Sequence, residues 1–359
     1  MDVGHNILHV DAGAGWRGGQ RQALLLAEGL NRMGDDCVLI AQPRGPLSAR
    51  ARMAGVRVAP VRMPSEWSPR AVWEIRSLVR ELAPDVVHAH DARGHALALL
   101  ALASLPRAKR PPLIVTRRVV FPPRSTRLKY GGRVARFIAI SQAVRDAMAA
   151  GGVAPERITV VYSGVPTPLV TAPRDWRKEC RWPASSVICG VVGAMTGEKG
   201  VAEVTGIARR LPAEAARHAR IVLIGGERGD RSTMGGIEVH RPGFIDDVHD
   251  AMAGLDLLWH PSSSEGLGTA VIDAMALGVP PVAYATGGLR ELIEDGISGL
   301  LAPAGDATAF ASAAASLIRD AALRARLRAA GPARAELFGV ERMVRGTRAV
   351  YEDVLLMEP

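Results

Sequence analysis

The sequence is poor in cysteine and in long apolar runs, and each shortage excludes a class of protein. The three cysteines, Cys37, Cys180 and Cys189, have no metal-binding spacing, so we predict buried thiols in a reducing compartment. The longest apolar run, residues 96–105, falls far short of the ~20 residues of a membrane helix. The first twenty residues lack a basic-then-apolar leader. These features predict a cytoplasmic protein.

Aromatic residues are scarce throughout the chain, and acidic residues are scarce in its first half. Aromatics make up 4% of the sequence and no nucleic-acid-binding motif occurs, so nucleic acid is not expected as a partner. Residues 1–165 carry 24 Lys and Arg against 12 Asp and Glu, and residues 92–145 contain no acid. Such a basic region suits an anionic membrane surface or an anionic substrate, although arginine used only for solvation gives the same counts.

The order of strand-like and helix-like runs predicts an α/β protein of two domains. At 359 residues the chain is too long for one ordinary core. Strand-like and helix-like runs alternate over residues 6–161 and again from residue 187, after a Gly-, Pro-, Ser- and Thr-rich linker at 162–173. We expect two doubly wound, Rossmann-like domains, one at 1–165 plus 340–359 and one at 166–339. They are predicted to face each other across a cleft, with the C-terminal helix crossing back to the first domain.

The strongest chemical signal is the segment 264–276, which reads SEGLGTAVIDAMA. It follows an apolar run that predicts a strand, and a helix is expected to begin near Thr269. The N–H groups at a helix N-terminus lack partners, and glycines let an anion approach them, so this segment is a candidate phosphate site. Glu265 and Asp273 lie on either side of the helix start. We predict that they flank a bound phosphate, where a nucleotide sugar carries hydroxyls.

Two further glycine-rich loops follow predicted strands. Residues 193–200 lack the Gly-Lys-Ser/Thr ending of a nucleotide triphosphatase loop, but Lys199 offers a cation to a phosphate. Residues 13–20 contain the G-x-G-x-x-G pattern of dinucleotide-binding proteins. An oxidoreductase is not expected, because residues 41–43, Ala-Gln-Pro, lack the acid that would bind the ribose. The loop is predicted instead to line the acceptor side through Gly18, Gly19 and Gln20.

Polar side chains also end two strands of the first domain. His88 and His90 share one face of a strand, but no third metal ligand is evident nearby and no Asp-x-Asp pair follows a strand, so no metal is expected. His90 is the candidate hydrogen-bonding group on the acceptor side, and a structural role for both histidines is the alternative. Arg117 and Arg118 are assigned to the acceptor side, with a surface position as the alternative for at least one.

Together, these motifs resemble the large retaining glycosyltransferase family 4, which has the GT-B fold. The resemblance covers nearly the whole chain, and its carriers are the Gly18-Gly19 loop, His88-Ala-His90, Ile140-Ser141, Tyr162-Ser-Gly-Val, Glu198-Lys199-Gly200, the Glu-x7-acid motif, Gly287-Gly288-Leu-Arg-Glu and Asp295-Gly-Ile-Ser-Gly299. The chain departs from the family at Asp273, usually Glu, and at Ala194, usually Arg. It also lacks the His that many members carry after the strand that here ends in Thr116-Arg117-Arg118.

The resemblance implies roles for individual residues. Lys199 is implied to contact the donor diphosphate, Glu265 the hydroxyls of the transferred sugar, and Asp273 the nucleotide ribose. With His90 on the acceptor side, Glu265 and Lys199 form the expected catalytic set. The expected donor-binding set is Gly193, Gly266, Leu267, Gly268, Thr269, Asp273, Gly243 and Phe244.

The expected function is a retaining, metal-independent transfer of a sugar from a nucleoside-diphosphate sugar to a glycan or lipid-linked acceptor. The expected setting is cell-envelope polysaccharide or lipopolysaccharide synthesis in the cytoplasm or on the inner face of the membrane, without a cofactor. Ala194 and the missing His favour, as an alternative, a non-catalytic nucleotide-sugar sensor or scaffold on the same fold. Another GT-B enzyme, such as a nucleotide-sugar epimerase, is a further alternative. A sugar phosphorylase is disfavoured, because no lysine suits pyridoxal phosphate.

Overall fold

The computed structural model describes residues 4–123, 129–195 and 200–357 and divides into two compact units. Unit 1 consists of the described residues up to Gly164 and of those from Val340 onward. Unit 2 is the segment Val165–Gly339. None of the helices in these described ranges has the length and apolar character needed to span a bilayer.

Unit 1 contains a seven-stranded sheet in which all paired strands are parallel, in the order β3-β2-β1-β4-β5-β6-β7. Its strands are β1 (Asn6–Val10), β2 (Asp36–Ala41), β3 (Arg57–Pro60), β4 (Val86–Ala89), β5 (Leu113–Arg117), β6 (Arg136–Ala139) and β7 (Ile158–Val160). Its helices are α1 (Gly18–Arg32), α2 (Pro46–Met53), α3 (Pro69–Leu82), α4 (Ala92–Ala103), α5 (Gln142–Ala150) and the C-terminal α14 (Val340–Met357).

The C-terminal helix α14 is part of the core of unit 1. The apolar faces of α1 and α14 pack together with the strands, because both helices carry apolar residues at helical spacing. Gly29 permits a close approach, since a Cβ at that position would lie 2.3 Å from Cγ2 of Val344. Tyr351 of α14 is fully buried against the same sheet.

Unit 2 also contains a seven-stranded sheet, in the order β10-β11-β9-β8-β12-β13-β14. Its strands are β8 (Val187–Val192), β9 (Ala219–Ile224), β10 (Gly229–Met234), β11 (Ile237–Gly243), β12 (Leu257–His260), β13 (Pro281–Tyr284) and β14 (Leu300–Ala302). Its helices are α6 (Trp176–Cys180), α7 (Val201–Arg210), α8 (Ala213–His218), α9 (Val248–Ala253), α10 (Thr269–Ala276), α11 (Leu289–Leu292), α12 (Ala307–Arg319) and α13 (Ala321–Glu336). Strands β10 and β11 form an antiparallel hairpin at one edge, and the other pairs are parallel.

Both sheets reverse their strand order beside their first strand. The reversal lies between β1 and β4 in unit 1 and between β8 and β12 in unit 2. The loops at the carboxyl ends of the strands diverge at such a point, and open α/β sheets bind their ligands there. A ligand site is therefore expected at the carboxyl ends of β1 and β4 in unit 1 and of β8 and β12 in unit 2.

Candidate functional site

The carboxyl end of β12 leads through residues 261–268 into helix α10. Gly268, the N-cap, adopts a positive φ of 102°, which only glycine enters without strain, and no cap side chain occupies the first turn. A Cβ at Gly268 would also lie 2.7 Å from Cδ2 of Leu289. Glycine is therefore required here by backbone and by packing, and no side chain caps the start of α10, as is typical of anion sites at helix N-termini.

Glu265 is held at this helix start by two side chains. The Nε2–H of His260, the last residue of β12, donates to Oε2 of Glu265 at 3.0 Å. The hydroxyl of Ser262 donates to the same oxygen at 3.4 Å. Cγ of Glu265 lies 3.5 Å from the position of a Cβ at Gly268. The carboxylate is thus fixed beside the first turn of α10.

Asp273, the second acid, is buried in the middle of α10. Its Oδ1 accepts a hydrogen bond at 3.3 Å from Nε2–H of His249, which belongs to α9. The structure thus places each of the two predicted acids against an imidazole. The binding of a donor by both acids remains a prediction.

Other predicted donor residues lie at the carboxyl ends of β8, which is next to β12, and of β11, which is two strands further along the sheet. The N–H of Gly193 donates to the Ile224 carbonyl at 3.0 Å, and the N–H of Gly225 donates to the Gly243 carbonyl at 2.9 Å. These bonds join the carboxyl ends of β8, β9 and β11, and the next residue, Phe244, is exposed. Gly200 lies against the β12 loop, since a Cβ there would be 1.8 Å from the Pro261 carbonyl oxygen.

The same close contact brings together two of the predicted loops. The Gly200 end of the 193–200 loop and the 261–268 loop are adjacent at the switch point of unit 2. Gly266, Leu267 and Thr269, which complete the predicted donor set, lie in or directly after the second loop. Lys199, the predicted cation, lies outside the described residues.

In unit 1, three buried histidines, His9, His88 and His90, lie near the carboxyl ends of β1 and β4. Nδ1 of His9 is hydrogen bonded to Nε2 of His90 at 2.9 Å. His88 is hydrogen bonded through Nδ1 to the Tyr351 hydroxyl at 2.6 Å and through Nε2 to the Thr116 hydroxyl at 2.7 Å. Burial lowers the pKa of all three imidazoles, that of His9 to about 3. They are therefore neutral at physiological pH.

The prediction that no third potential metal ligand lies near His88 and His90 is wrong. One ring nitrogen from each of His9, His88 and His90 lies within 4.8 Å of the others. The group nevertheless fits a metal poorly, because both nitrogens of His88 already have hydroxyl partners. The positive charge of Arg118 also lowers the pKa of His88 and His90, and it would oppose a second cation. The triad is better described as a hydrogen-bonded core.

Two carboxyl groups organise the first glycine-rich loop. Oδ1 of Asp11 accepts hydrogen bonds from the N–H of Gly13 at 2.8 Å and from Nε2 of Gln20 at 3.0 Å. Asp91 caps α4 and also accepts from the N–H of Ala12 at 2.7 Å. Burial and the nearby charge of Asp11 raise the pKa of Asp91 to about 6. The two acids thus tie the loop to the start of α4.

The structure separates the predicted acceptor-side residues into two groups. Cδ of Arg118 lies 3.7 Å from the position of a Cβ at Gly19, beside Gly18 at the start of α1. Burial lowers the pKa of Arg118 to about 10, although Asp11 and Asp91 act in the opposite direction. Arg117 instead donates to the Tyr130 hydroxyl at 2.7 Å and to the Phe121 carbonyl at 2.5 Å. Gly19, Gln20 and Arg118 therefore lie in one neighbourhood, and Arg117 supports a different loop.

Sequence reasoning missed His9, His249 and His260. His9 could have been found, because a Rossmann strand order pairs β1 with β4, and His9 is in register with His88. His260 ends a strand five residues before Glu265, but its contact depends on the path of the intervening loop. The His249 contact joins two helices, and no local pattern indicates it.

Comparison with known proteins identifies matches to both units. The family described as Glycosyltransferase Family 4 matches residues 16–168, and the one described as Glycosyl transferases group 1 matches residues 174–334. The 2-deoxystreptamine N-acetyl-D-glucosaminyltransferase of Streptomyces fradiae is 33% identical over 150 residues, which cover 39% of this chain and 35% of that protein. The D-inositol 3-phosphate glycosyltransferase of Stackebrandtia nassauensis is 30% identical over 195 residues, which cover 49% and 44%.

The alignments therefore span about half the length, or less, of these curated relatives. Among solved structures, the crystal structure of Anabaena Alr3699/HepE in complex with UDP and glucose is similar over 97% of this chain and 100% of that one. Its TM-score is 0.83 and its sequence identity is 20%. The predicted GT-B fold, with two Rossmann-like sheets, is confirmed.

Proposed function

Because the chain belongs to glycosyltransferase family 4, we propose that it transfers a sugar from a nucleoside-diphosphate sugar to an acceptor hydroxyl. The observation that carries the proposal is the glycine-framed start of α10, with the Glu265 carboxylate fixed beside it. A diphosphate at the helix N-terminus is attracted by the helix dipole and by the N–H groups of the first turn. Glu265 then stands where a sugar attached to that diphosphate can present its hydroxyls.

The proposed reaction retains the anomeric configuration and needs neither a metal ion nor a cofactor. The start of α10 and Lys199 stabilise the charge that develops on the departing diphosphate, and Glu265 orients the sugar as it becomes cationic. The acceptor attacks from the side of the leaving group, and a donor phosphate oxygen takes its proton. Asp273, which faces His249, is proposed to hold the ribose.

The proposed donors are UDP sugars in the first place. A structural relative binds UDP and glucose, and other relatives bear the names of transferases for aminocyclitol and inositol phosphate acceptors. The acceptor is proposed to be a glycan or a lipid-linked sugar of the cell envelope. Gly18, Gly19, Gln20 and Arg118 are the proposed acceptor-side residues. His90 is buried and bonded to His9, so it is proposed to support this side from the core without touching the acceptor.

Thermal shift with UDP, GDP, ADP and CMP sugars identifies the donor, because a ligand at 100 times its dissociation constant stabilises a protein by about 2.7 kcal/mol. Transfer from the selected donor is then followed by NMR at the anomeric carbon. Retention of configuration is expected in the product. Inversion, or no binding of any of the four donors, would contradict the proposal.

Ala194 supports a second candidate, a nucleotide-sugar sensor or scaffold. The family usually places an arginine there, and its loss removes one cation from the diphosphate. A sensor would bind the donor in the thermal-shift screen and would neither hydrolyse nor transfer the sugar. Turnover of the donor by the purified protein excludes this candidate.

We also propose that unit 1 docks on an anionic membrane surface. Helix α3 buries Ala71, Ile75 and Val79, and its opposite face exposes Trp73. Arg70 and Arg80 lie three and seven residues from Trp73 on that exposed face. Trp67, before the helix, is also exposed. Tryptophan and arginine together suit the interface of a bilayer with anionic headgroups.

Co-sedimentation with phosphatidylglycerol vesicles tests this docking surface. Replacement of both Trp67 and Trp73 by alanine is expected to weaken binding by about thirtyfold or more, since each buried aromatic side chain contributes on the order of 1–3 kcal/mol. Met53→Ala, at an exposed apolar residue of α2, is the matched control and should leave binding unchanged. Equal binding to neutral vesicles, or binding that does not weaken in 0.5 M salt, would contradict an electrostatic membrane surface.

A further inference from the structure

We propose that His260 is the positioning residue for Glu265. The imidazole fixes the carboxylate in the orientation that holds the sugar, without touching the sugar itself. This inference rests on the proposed role of Glu265 in sugar binding, and it assigns a role to a residue that the sequence pattern did not indicate.

The support for Glu265 comes from a rigid element. His260 is the last residue of β12, which lies between β8 and β13 in the interior of the sheet. Its side chain is 4% exposed, so its ring has little room to move. Glu265, in contrast, lies in a loop that contains Gly266 and Gly268. Since the glycines let this loop vary, the strand-borne imidazole sets the position of the carboxylate.

The surrounding contacts restrict the carboxylate further. His260 and Ser262 both donate to Oε2, which fixes the rotation of the carboxylate about its last bond. The Ser262 carbonyl accepts from the Thr286 hydroxyl at 3.0 Å. The main-chain carbonyl of Glu265 accepts from the N–H of Gly288 at 3.1 Å. The main chain of the loop is therefore attached to residues 286–288 at Ser262 and at Glu265 itself, and His260 adds a bond to the charged group of Glu265.

The chemistry of the reaction makes this bond matter in the transition state. A carboxylate that accepts hydrogen bonds from the sugar and stands near the growing positive charge must not shift, because a displacement of about 1 Å can cost on the order of a hundredfold in rate. A nucleoside diphosphate alone makes no use of Glu265. Loss of His260 should therefore lower kcat far more than it lowers nucleoside-diphosphate affinity.

A pair of conservative variants separates positioning from packing. The terminal nitrogen of glutamine reaches about as far as imidazole Nε2, whereas that of asparagine reaches only as far as Nδ1. His260→Asn is expected to lower kcat with UDP-glucose about 10- to 100-fold, with the dissociation constant of UDP changed less than twofold. His260→Gln is expected to restore most of the rate. His218→Asn, at an exposed histidine of the same unit, is the control for the substitution itself.

A double-mutant cycle with Glu265→Gln identifies the route of the effect. If His260 acts through Glu265, His260→Asn should change kcat less than threefold once Glu265 is already glutamine. Fully additive losses, equal rates in the asparagine and glutamine variants, or parallel losses of UDP affinity and kcat would each overturn the proposal.

The cycle also separates failure of this inference from failure of the proposed function. A Glu265→Gln variant with the unchanged rate would overturn the role of Glu265 and, with it, that of His260. An impaired Glu265→Gln variant beside a fully active His260→Asn variant would overturn the positioning role alone. If UDP-glucose gives no turnover, the donor selected by thermal shift and its nucleoside diphosphate replace it, and turnover of none of the four donors contradicts both claims.

Discussion

Both units contain a seven-stranded sheet whose strand order reverses beside the first strand, and they differ in the side chains at that point. Unit 1 places three neutral imidazoles there in hydrogen bonds to one another and to hydroxyls. Unit 2 places His260 and His249 there, each against a carboxylate. The fold therefore supplies the position of a site, and its side chains decide whether that position is a buried core or a polar site that can grip a ligand.

The difference between the edges has consequences for electrostatics. His9, His88 and His90 of unit 1 cannot become charged without leaving a buried, unpaired cation, and Arg118 adds to this penalty for His88 and His90. His249 and His260 of unit 2 each face a carboxylate instead. The stability of unit 1 should therefore depend on pH. The function of unit 2 should depend on the contacts of His260 with Glu265 and of His249 with Asp273. Each of the following changes tests one side of this contrast.

The largest effect is expected from acid. Because the folded pKa of His9, His88 and His90 lies below the ordinary value near 6.5, the unfolded chain binds protons that the folded unit cannot. Stability is full above pH 6.5 and falls as the pH drops from there towards the folded values. Between pH 7 and pH 5, His9 and His95, whose pKa values burial lowers to about 3 and about 4, each remove about 2 kcal/mol. His88 and His90 act in the same direction, and proton uptake by Asp91 offsets about 1 kcal/mol of the loss.

Hydrogen exchange at pH 7 and pH 5 measures this loss unit by unit. The amides of β1 and β4 should lose their protection well before those of β8 and β12. Burial also lowers the pKa of His240 in unit 2, so that unit is expected to lose a smaller amount of stability in acid. Simultaneous loss in both sheets, or earlier loss in unit 2, would remove the proposed distinction.

The second largest effect is expected at the proposed diphosphate site. Lys199→Ala should raise the barrier to transfer by about 3 kcal/mol, roughly a hundredfold in rate, because it removes a cation from the leaving group. Steady-state kinetics with the selected donor measures the loss. Lys178→Ala, on helix α6, is the control, and a near-normal rate in Lys199→Ala would count against the assignment.

A smaller effect is expected from the hydroxyl that anchors the histidine core to α14. Tyr351→Phe removes a buried hydrogen bond to His88 while preserving the ring, and should destabilise unit 1 by about 1–3 kcal/mol. Urea unfolding measures the change in free energy. Donor binding to unit 2 should not change, so altered donor affinity in this variant would contradict the separation of roles between the two edges.

The smallest effect is expected at the start of α3. Ser68 caps this helix through its side chain, so Ser68→Ala should cost about 1 kcal/mol of stability in unit 1. The same urea measurement detects it, with Ser77→Ala inside the helix as the matched change. A larger loss at Ser77 than at Ser68 would contradict the capping role.

The sequence predicted those elements whose signals are local. Helix α3 is such an element, because Ser68, Pro69 and the spacing of Ile75 and Val79 mark its start and inner face. Helix α2 carries a much weaker signal, because it has only 8 residues and a weak apolar periodicity. Strand β10 is also hard to predict, since its residues, GDRSTM, are mostly polar and lie at the sheet edge.

The candidate site was predictable as a set of loops but not as a set of contacts. Glycines, acids and their spacing marked the start of α10, because a phosphate site at a helix N-terminus depends on neighbouring residues. The partners of those acids could not be predicted, since His249 approaches Asp273 from another helix and His260 meets Glu265 only after the loop has turned. Tertiary packing decides such contacts, and a single sequence carries no direct record of it.

A crystal structure with an intact nucleotide sugar bound tests the account most directly. The account predicts electron density for the diphosphate at the N–H groups of Leu267–Thr269, and a Glu265 carboxylate that still accepts from His260 while it contacts sugar hydroxyls. A diphosphate bound elsewhere, or a Glu265 side chain turned into solvent, would contradict it.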